Sequence, residues 1–471
     1  MTPSQTFTRR CPAPPSAVFQ ALRTANPAPY GFLINLGDNA FLVGASPEMY
    51  VRVQGDRVET CPIAGTIARG ADALGDARQI LNLLSSDKDA AELTMCTDVD
   101  RNDKARICVP GSVRVIGRRQ IELYSRLIHT VDHVEGRLRP GYDSLDALLT
   151  HLWAVTVTGA PKLDAMQFLE DHERSPRGFY GGAVGAIGCD GSLNTGLALR
   201  TLQIEGGVVQ VRVGATLHFD SDPDEEEREC ELKASALFGV LDALELEYSD
   251  AAGLPRGESS PSPSAPGDPR AAVQRPSAAL RVLLIDHRDS FVHTLADYLR
   301  QCGAQVTTLR YGFAGDVYER LNPELVVLSP GPARPDDFGM CTTLAELARR
   351  QLPVFGVCLG LQGIVEYCGG RLAQLQTPVH GKASSIARRE HAMFRGLPER
   401  LQVGRYHSLY ADPAYFPAEL ETLAHSDDGT IMAIAHRKRP WFAVQFHPES
   451  ILSAEQRHGL TLVQNVVALA R

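Results

Sequence analysis

The stretch GVCLGLQG at 356–363, together with VQFHPES at 444–450, decides the fold and chemistry of the second half of the chain. The apolar run LPVFGV predicts a buried strand, and the glycines around Cys358 predict a tight turn into a helix. At a helix N-terminus, the dipole and free backbone N–H groups favour a thiolate. His447 can act as the base, and Glu449, two residues later, can orient its imidazole ring. We therefore predict a Cys-His-Glu nucleophilic site rather than an ordinary buried thiol.

Strands and helices alternate through residues 280–471, with the strand runs RVLLID, LVVLSP and PVFGVC. This alternation predicts a parallel sheet covered by helices. The preceding segment, residues 249–279, is rich in Pro, Ser, Ala and Gly and has almost no large apolar side chains. Because such a segment cannot bury enough surface to fold, we expect an extended linker.

Residues 1–248 have a different pattern, in which hairpins precede and follow helices. Period-two runs with Gly-Asp turns predict antiparallel hairpins, and longer periodic runs predict helices. The hairpins are expected at 31–45 and 50–60, helices at 72–108, 142–154 and 225–244, and further strands at 181–219. The first half is therefore predicted to be an α+β domain.

Composition sets broad limits on location and partners. The 471 residues suffice for two or three domains, and 44% hydrophobic with 22% charged residues is ordinary for a globular protein. A net charge of −9 without a basic stripe argues against nucleic acid as a partner. Ten cysteines without CxxC pairs indicate a reducing compartment. With no apolar signal or spanning segment, we expect a cytoplasmic protein with no membrane partner.

The second half resembles a class I glutamine amidotransferase, specifically the glutaminase of anthranilate synthase, with a flavodoxin-like α/β fold. The matching strings are RVLLIDHRDSFVHTLADYLR (281–300), LVVLSPGPARP (325–335), HGK (380–382) and GRYHSLY (404–410). The resemblance implies that Cys358 attacks the glutamine amide, forms a thioester and releases ammonia. It also implies an oxyanion hole from the N–H groups of Gly331 and Leu359, and glutamine binding by Gln362, Ser408 and Leu409.

One residue departs from the glutaminase pattern. The family's turn usually reads Pro-Gly-Pro-Gly, and Ala333 replaces its last glycine here. If the position requires a positive φ, alanine strains the turn and weakens glutamine binding. Gly331 is retained.

The first half resembles the chorismate-binding domain of anthranilate synthase component I. The matching strings are GASPEM (44–49), PIAGT (62–66), AELTMCTDVDRND (91–103), RLIHTVDHVEG (126–136), VTVTGAPK (155–162), FYGGAVG (179–185), NTGLALRT (194–201), RVGATLHFDSDP (212–223) and the ECELKA helix. The resemblance implies the first step of tryptophan synthesis, in which chorismate and glutamine give anthranilate, pyruvate and glutamate.

The same resemblance implies the site residues of this domain. Mg²⁺ is the expected cofactor, with Glu92 and Glu229 as ligands and Glu226, one helical turn before Glu229 on the same face, as a third. Glu48 corresponds to a general acid, and His129, which we place in a helix-like segment, to a catalytic histidine. The chorismate-binding residues implied are Gly65, Thr66, Tyr180, Arg200, Gly214, Ala215, Thr216 and Lys233.

Two alternatives remain open. Ala64 stands where aminodeoxychorismate synthases commonly carry a lysine, so direct addition of ammonia is expected; a phenazine-type aminodeoxyisochorismate synthase is the alternative enzyme. The chain also aligns from inside the family's synthase domain. We expect the tryptophan regulatory pocket to be absent, and either a homodimer or a separate N-terminal synthase fragment as partner. Alternatively, the chain is a truncated remnant that retains only glutaminase activity.

Overall fold

The computed structural model of the chain describes residues 1–219, 221–250 and 279–471. The chain divides into two compact units, one of Met1–Asp100 and Ile107–Ala271, the other of Arg101–Arg106 and Ala272–Arg471. Most of the predicted linker, residues 251–278, lies outside the described residues. Among the described residues, no helix combines the length and the apolar character needed to cross a membrane.

The first unit combines antiparallel sheets with helices. Its strands are β1 (Ser4–Arg10), β2 (Tyr30–Gly37), β3 (Ala40–Ser46), β4 (Met49–Gln54), β5 (Arg57–Thr60), β6 (Ile63–Ala68), β7 (Arg114–Leu123), β8 (Leu127–Arg137), β9 (Ala183–Ile187), β10 (Leu193–Leu197), β11 (Thr201–Glu205) and β12 (Val208–Gly214). Its helices are α1 (Pro15–Ala25), α2 (Ala73–Ser85), α3 (Asp87–Ala105), α4 (Ser144–His151), α5 (Val155–Thr158), α6 (Lys162–His172) and α7 (Pro223–Asp250).

These strands form two sheets. One has the order β1-β12-β11-β3-β2 and the other β6-β8-β5-β4-β10-β9, with β7 paired to β8. The predicted hairpins are confirmed, because β2 pairs with β3 and β4 with β5 in antiparallel register. Helices α1 and α7 bury Leu22 and Leu237 against Val43 and Val211 of the first sheet. The α+β prediction is therefore confirmed.

The second unit is one mixed sheet wrapped by helices. Its strands are β13 (Arg281–Asp286), β14 (Gln305–Arg310), β15 (Leu325–Leu328), β16 (Val354–Val357), β17 (Leu372–Arg388), β18 (Arg400–Ala411), β19 (Leu420–Ser426), β20 (Ile431–His436) and β21 (Trp441–Val444). Its helices are α8 (Val292–Gln301), α9 (Val317–Leu321), α10 (Met340–Arg349), α11 (Leu359–Tyr367) and α12 (His458–Leu469).

The parallel core of this sheet has the order β14-β13-β15-β16-β21. When only the parallel strands are numbered in chain order, this is the 2-1-3-4-5 order of a flavodoxin-like sheet. Both faces are covered, since Val327 and Phe355 join one apolar core while their neighbours Val326 and Val354 join the other. The flavodoxin-like prediction is confirmed, and the carboxyl ends of these strands are where such folds bind ligands.

Candidate active sites

Cys358 lies between β16 and α11, at the carboxyl edge of the parallel strands. Its φ of 51° and ψ of −97° give a non-glycine residue a sparsely populated backbone conformation. The Cys358 N–H donates to the carbonyl of Val444 at 2.8 Å. Gly360 packs so closely on β15 that a Cβ there would lie 2.8 Å from the Leu328 oxygen. The predicted strand-to-helix turn is present, and glycine is needed to form it.

His447 and Glu449 form a buried pair beside this turn. Nδ1 of His447 is 2.8 Å from Oε1 of Glu449, and both side chains are almost completely buried. Burial would lower the pKa of His447, but the Glu449 carboxylate and Cys358 outweigh it and raise this pKa well above its usual value. Nε2 of His447 is buried without a hydrogen-bond partner. The histidine is therefore held ready to carry a proton near the sulfur.

The predicted glutamine-binding residues lie along one side of this site. Gln362 on α11 donates from Nε2 to the Leu409 carbonyl at 3.1 Å. Ser408 Oγ is 3.3 Å from Nε2 of His380, whose pKa is lowered by burial and by the nearby His447. The structure thus brings Gln362 and Leu409 together and adds His380, which was part of a quoted motif but not assigned a role.

The turn after β15 lies against the start of α11. A Cβ on Gly331 would lie 2.6 Å from Cδ2 of Leu359 and 2.8 Å from the backbone oxygen of His287, so only glycine fits here. Gly331 and Leu359 therefore lie next to each other, and their joint role as N–H donors stays a prediction. Ala333 has φ of 61°, the left-handed region in which alanine is disfavoured. Ala333, the residue that departs from the family pattern, therefore has a strained backbone.

Gln445 was missed as a site residue, although the motif VQFHPES contains it. It is fully buried, and its Nε2 lies 3.4 Å from Sγ of Cys358. Its position two residues before His447 was the available signal, because both follow β21 at the strand's carboxyl end.

A cavity open to solvent lies in the first unit. Most predicted synthase residues line it: Glu48, Gly65, Thr66, Glu92, His129, Tyr180, Arg200, Gly214, Thr216, Glu229 and Lys233. Ala215 and Glu226 are not among the lining residues. Thr156, which sequence reasoning did not single out within VTVTGAPK, lines it as well.

Glu48 follows β3 and is 4% exposed. The Thr156 hydroxyl donates to its Oε1 at 3.1 Å. Burial raises the pKa of Glu48 to about 8, although this hydrogen bond and Lys233 oppose the shift. At neutral pH the carboxyl is mostly protonated, so it can donate a proton into the cavity.

His129 lies on β8, so the helix-like prediction for its segment was wrong. Its neighbours are buried on both faces of the strand, which removes the polar–apolar alternation that identifies strands. Nδ1 is 3.2 Å from the Gly65 carbonyl, which only accepts, so this nitrogen carries the proton. Nε2 is buried, without a partner. Burial and Arg200 lower the pKa of His129 to about 3, which leaves a neutral acceptor.

Arg200 and Tyr180 supply donors at the cavity wall. Arg200 has φ of 49°, a strained value for a residue other than glycine. Burial lowers its pKa to about 10, so the guanidinium stays charged at neutral pH. Of the predicted chorismate-binding residues Gly214, Ala215 and Thr216, Ala215 already donates its backbone N–H to the Pro3 carbonyl at 3.3 Å. Gly214 and Thr216 remain at the lining.

Two carboxylates face the cavity near each other. Burial and the charge of Glu229 raise the pKa of Glu92 to about 7. Lys233 ion-pairs with Glu229 and donates to the Gly214 carbonyl at 2.9 Å. Carboxylate oxygens that repel one another are the donors a hard divalent cation prefers, so Glu92 and Glu229 fit Mg²⁺.

Glu226 is engaged elsewhere, in an ion pair with Lys88 of α3. It is 5% exposed and is held one turn away from Glu229 on α7. The structure therefore does not bring this third predicted ligand to the cavity lining. Lys88 lies four residues before Glu92, and that helical spacing was the signal for its position.

A separate cluster in the second unit places ligand atoms of Cys368, Glu419 and His436 within 4.8 Å of one another. Nδ1 of His436 accepts from the backbone N–H groups of Lys438 and Arg439 at 3.1 and 3.2 Å. The neutral ring therefore carries its proton on Nε2, the atom that faces Glu419. Because a protonated nitrogen does not bind metal, we assign no metal site here.

Comparison with known families assigns a family to each unit. Residues 1–239 match the chorismate binding enzyme family, and residues 283–465 match the class I glutamine amidotransferases. The chain belongs to the chorismate-binding enzymes and carries a class I glutamine amidotransferase domain behind the first.

The chain is also similar to individual proteins of known name. The chain is 62% identical over 467 residues to an anthranilate synthase of Azospirillum brasilense, covering 99% of this chain and 61% of that protein. It is 41% identical over 242 residues to anthranilate synthase component 1 of Aquifex aeolicus, covering 51% of this chain and 49% of that protein. Component I from Streptococcus pneumoniae, a solved structure, has 34% identity and a TM-score of 0.46 over 50% of this chain and 52% of that one. The chain thus spans 61% or less of the length of these relatives.

Proposed function

We propose that this chain is an anthranilate synthase that converts chorismate and glutamine to anthranilate, pyruvate and glutamate. The observation that carries the proposal is the 62% identity to the Azospirillum anthranilate synthase, because it extends over 99% of the chain and so includes both sites. The second unit would release ammonia from glutamine. The first unit would add that ammonia to chorismate.

Glutamine hydrolysis starts at Cys358. His447 takes the thiol proton, the sulfur bonds to the amide carbon, and the same proton leaves with ammonia. The resulting thioester is hydrolysed when His447 takes a proton from water and returns it to the departing sulfur. Glu449 stabilises the imidazolium through its 2.8 Å contact with Nδ1. Each step conserves the proton that His447 carries.

The oxyanion formed in both steps needs hydrogen-bond donors. The N–H groups of Gly331 and Leu359 are proposed for this role, supported by the close approach of the two residues. Such donors are typically worth a factor of roughly 10²–10³ in rate.

Chorismate binding would use the charges of the other cavity. Arg200 suits a bidentate contact with one carboxylate, and Tyr180 adds a hydroxyl. Mg²⁺, held by Glu92 and Glu229, would neutralise the other carboxylate when bound. Lys233 contributes a further positive charge near these groups.

Amination requires an acid and a base. As ammonia bonds to the ring, the ring hydroxyl leaves as water with the proton of Glu48, whose pKa is raised to about 8 by burial. Cleavage of the enolpyruvyl C–O bond and removal of a ring proton then give the aromatic product, and that proton ends in the methyl group of the released pyruvate. The free Nε2 of His129 is proposed to accept that ring proton.

Ala64 lines the same cavity and supports direct addition, since its methyl side chain cannot form a covalent adduct with the substrate. A phenazine-type enzyme would stop before pyruvate is lost. Pyruvate release therefore distinguishes the two products.

The test is anthranilate fluorescence from the purified chain, with pyruvate assayed in parallel. Wild type is expected to form both products with chorismate, Mg²⁺ and either glutamine or ammonium. Cys358→Ser should lose the glutamine-dependent reaction and retain the ammonium-dependent one. Amination without pyruvate would indicate the aminodeoxyisochorismate product. Glutamine hydrolysis with no amination from a folded sample would contradict the synthase proposal and leave a glutaminase.

A further inference from the structure

Gln445 occupies a fixed position behind the nucleophile of the second unit. Its side chain is fully buried, and its backbone N–H donates to the Met432 carbonyl at 2.9 Å. Its Nε2 is 3.4 Å from Sγ of Cys358, a normal distance for an N–H···S hydrogen bond. A buried amide that contacts the sulfur affects every step in which that sulfur gains or loses charge.

The orientation of this amide is determined by its neighbour Gln362. Nε2 of Gln362 donates to the Leu409 carbonyl at 3.1 Å, and a carbonyl oxygen only accepts. The same Nε2 is 3.5 Å from Oε1 of Gln445. With its oxygen toward Gln362, Gln445 must present its NH₂ group to the sulfur. The contacts thus run from Leu409 through two amides to Cys358.

We propose that Gln445 is a hydrogen-bond donor to the Cys358 thiolate and that Gln362 is the positioning residue that fixes its amide. This inference rests on the proposed role of Cys358 as the glutaminase nucleophile. An N–H group directed at an anionic sulfur stabilises the thiolate that attacks glutamine. The same donor stabilises the thiolate that leaves when the thioester is hydrolysed.

The contribution of Gln445 differs from that of His447. His447 gives its proton to ammonia and is then neutral, whereas an amide keeps its hydrogens throughout the cycle. Gln445 therefore supplies the sulfur with a donor at the stage when the imidazole acts as a base. Gln362, expected from sequence to contact glutamine, gains a second task through its contact with Gln445.

Alkylation of Cys358 by iodoacetamide tests the proposal without requiring turnover. The rate is followed by peptide mass spectrometry, with the exposed Cys189 as an internal reference. Gln445→Met keeps the volume and removes the donor, so alkylation of Cys358 at pH 7 should fall about tenfold, the lower range for a hydrogen bond to a charged group. At about pH 10, where thiols ionise without help, the two rates should converge.

Two further variants make the result decisive. Gln445→Glu places a carboxylate beside the sulfur and should slow alkylation more than Gln445→Met, while Gln362→Met, which frees the amide, should slow it two- to threefold. If circular dichroism shows that Gln445→Met is unfolded, the alkylation rates of Gln445→Glu and Gln362→Met test the proposal instead. Wild-type rates in the folded variants would overturn the inference. A wild-type Cys358 no more reactive than Cys189 would instead contradict the nucleophile assignment.

Discussion

Raising the pH should switch off the acid step of the ammonia-driven reaction through Glu48. Burial raises the pKa of this carboxyl to about 8, and the acid step needs its protonated form. About nine-tenths of Glu48 is then protonated at pH 7 and about one-tenth at pH 9. The rate at a fixed concentration of free ammonia should therefore fall about tenfold as pH rises from 7 to 9.

The other groups of the cavity do not give the same change. His129, with a pKa lowered to about 3 by burial, is neutral over this range, and Arg200, lowered by burial to about 10, stays mainly charged. Asp100 and Lys233 act on Glu48 through their charges, but the former raises and the latter lowers its pKa. Saturating Mg²⁺ keeps the proposed ligand Glu92 ionised throughout.

The assay is anthranilate formation at saturating chorismate and Mg²⁺, with each rate divided by the free-base ammonia concentration. Glu48→Gln is the control, because the amide is isosteric and has no proton to give up. It should be slower by roughly 10²–10⁴-fold, the usual contribution of a general acid, and independent of pH between 7 and 9. A flat wild-type profile, or the wild-type profile in Glu48→Gln, would refute the assignment.

Two further predictions concern the second unit. Glu449→Gln removes the charge that raises the pKa of His447. Glutamine hydrolysis should therefore fall by roughly 10²–10⁴-fold, while ammonium-dependent amination is retained. Equal losses in both assays would contradict the role of Glu449 in the glutaminase site. Ala333→Gly relieves a left-handed alanine, and after the entropy of glycine in the unfolded chain is subtracted, the second unit should gain up to about 1 kcal/mol. Its urea midpoint should rise and its KM for glutamine fall, and a lower midpoint would contradict the strain argument.

The elements nearest to the nucleophile were predictable because their constraints are local. The run before Cys358 is apolar and short, and Gly356 and Gly360, which allow β16 to contact α11, are only four residues apart. The alternation of strands and helices likewise predicted the parallel core. At Ala333, the missing glycine already identified the position where a positive φ would be strained.

The errors and omissions arose where partners come from distant parts of the chain. The segment around His129 is buried on both faces of β8, so the alternation of polar and apolar residues that identifies a strand was lost. Glu226 and Glu229 share one face of α7, and only the packing of α3 decides that Lys88 engages Glu226. The orientation of the Gln445 amide depends on Gln362, which lies 83 residues earlier in the chain.

The backbone of Cys358 has a consequence for how this protein can change over time. A conformation with φ of 51° and ψ of −97° would be relaxed by glycine, which has no side chain to perform the chemistry. Selection for a sturdier fold and selection for a working thiol thus oppose each other at this position. A lineage that no longer needed glutamine as its nitrogen source would gain stability by losing the nucleophile, and substitutions there would record the loss.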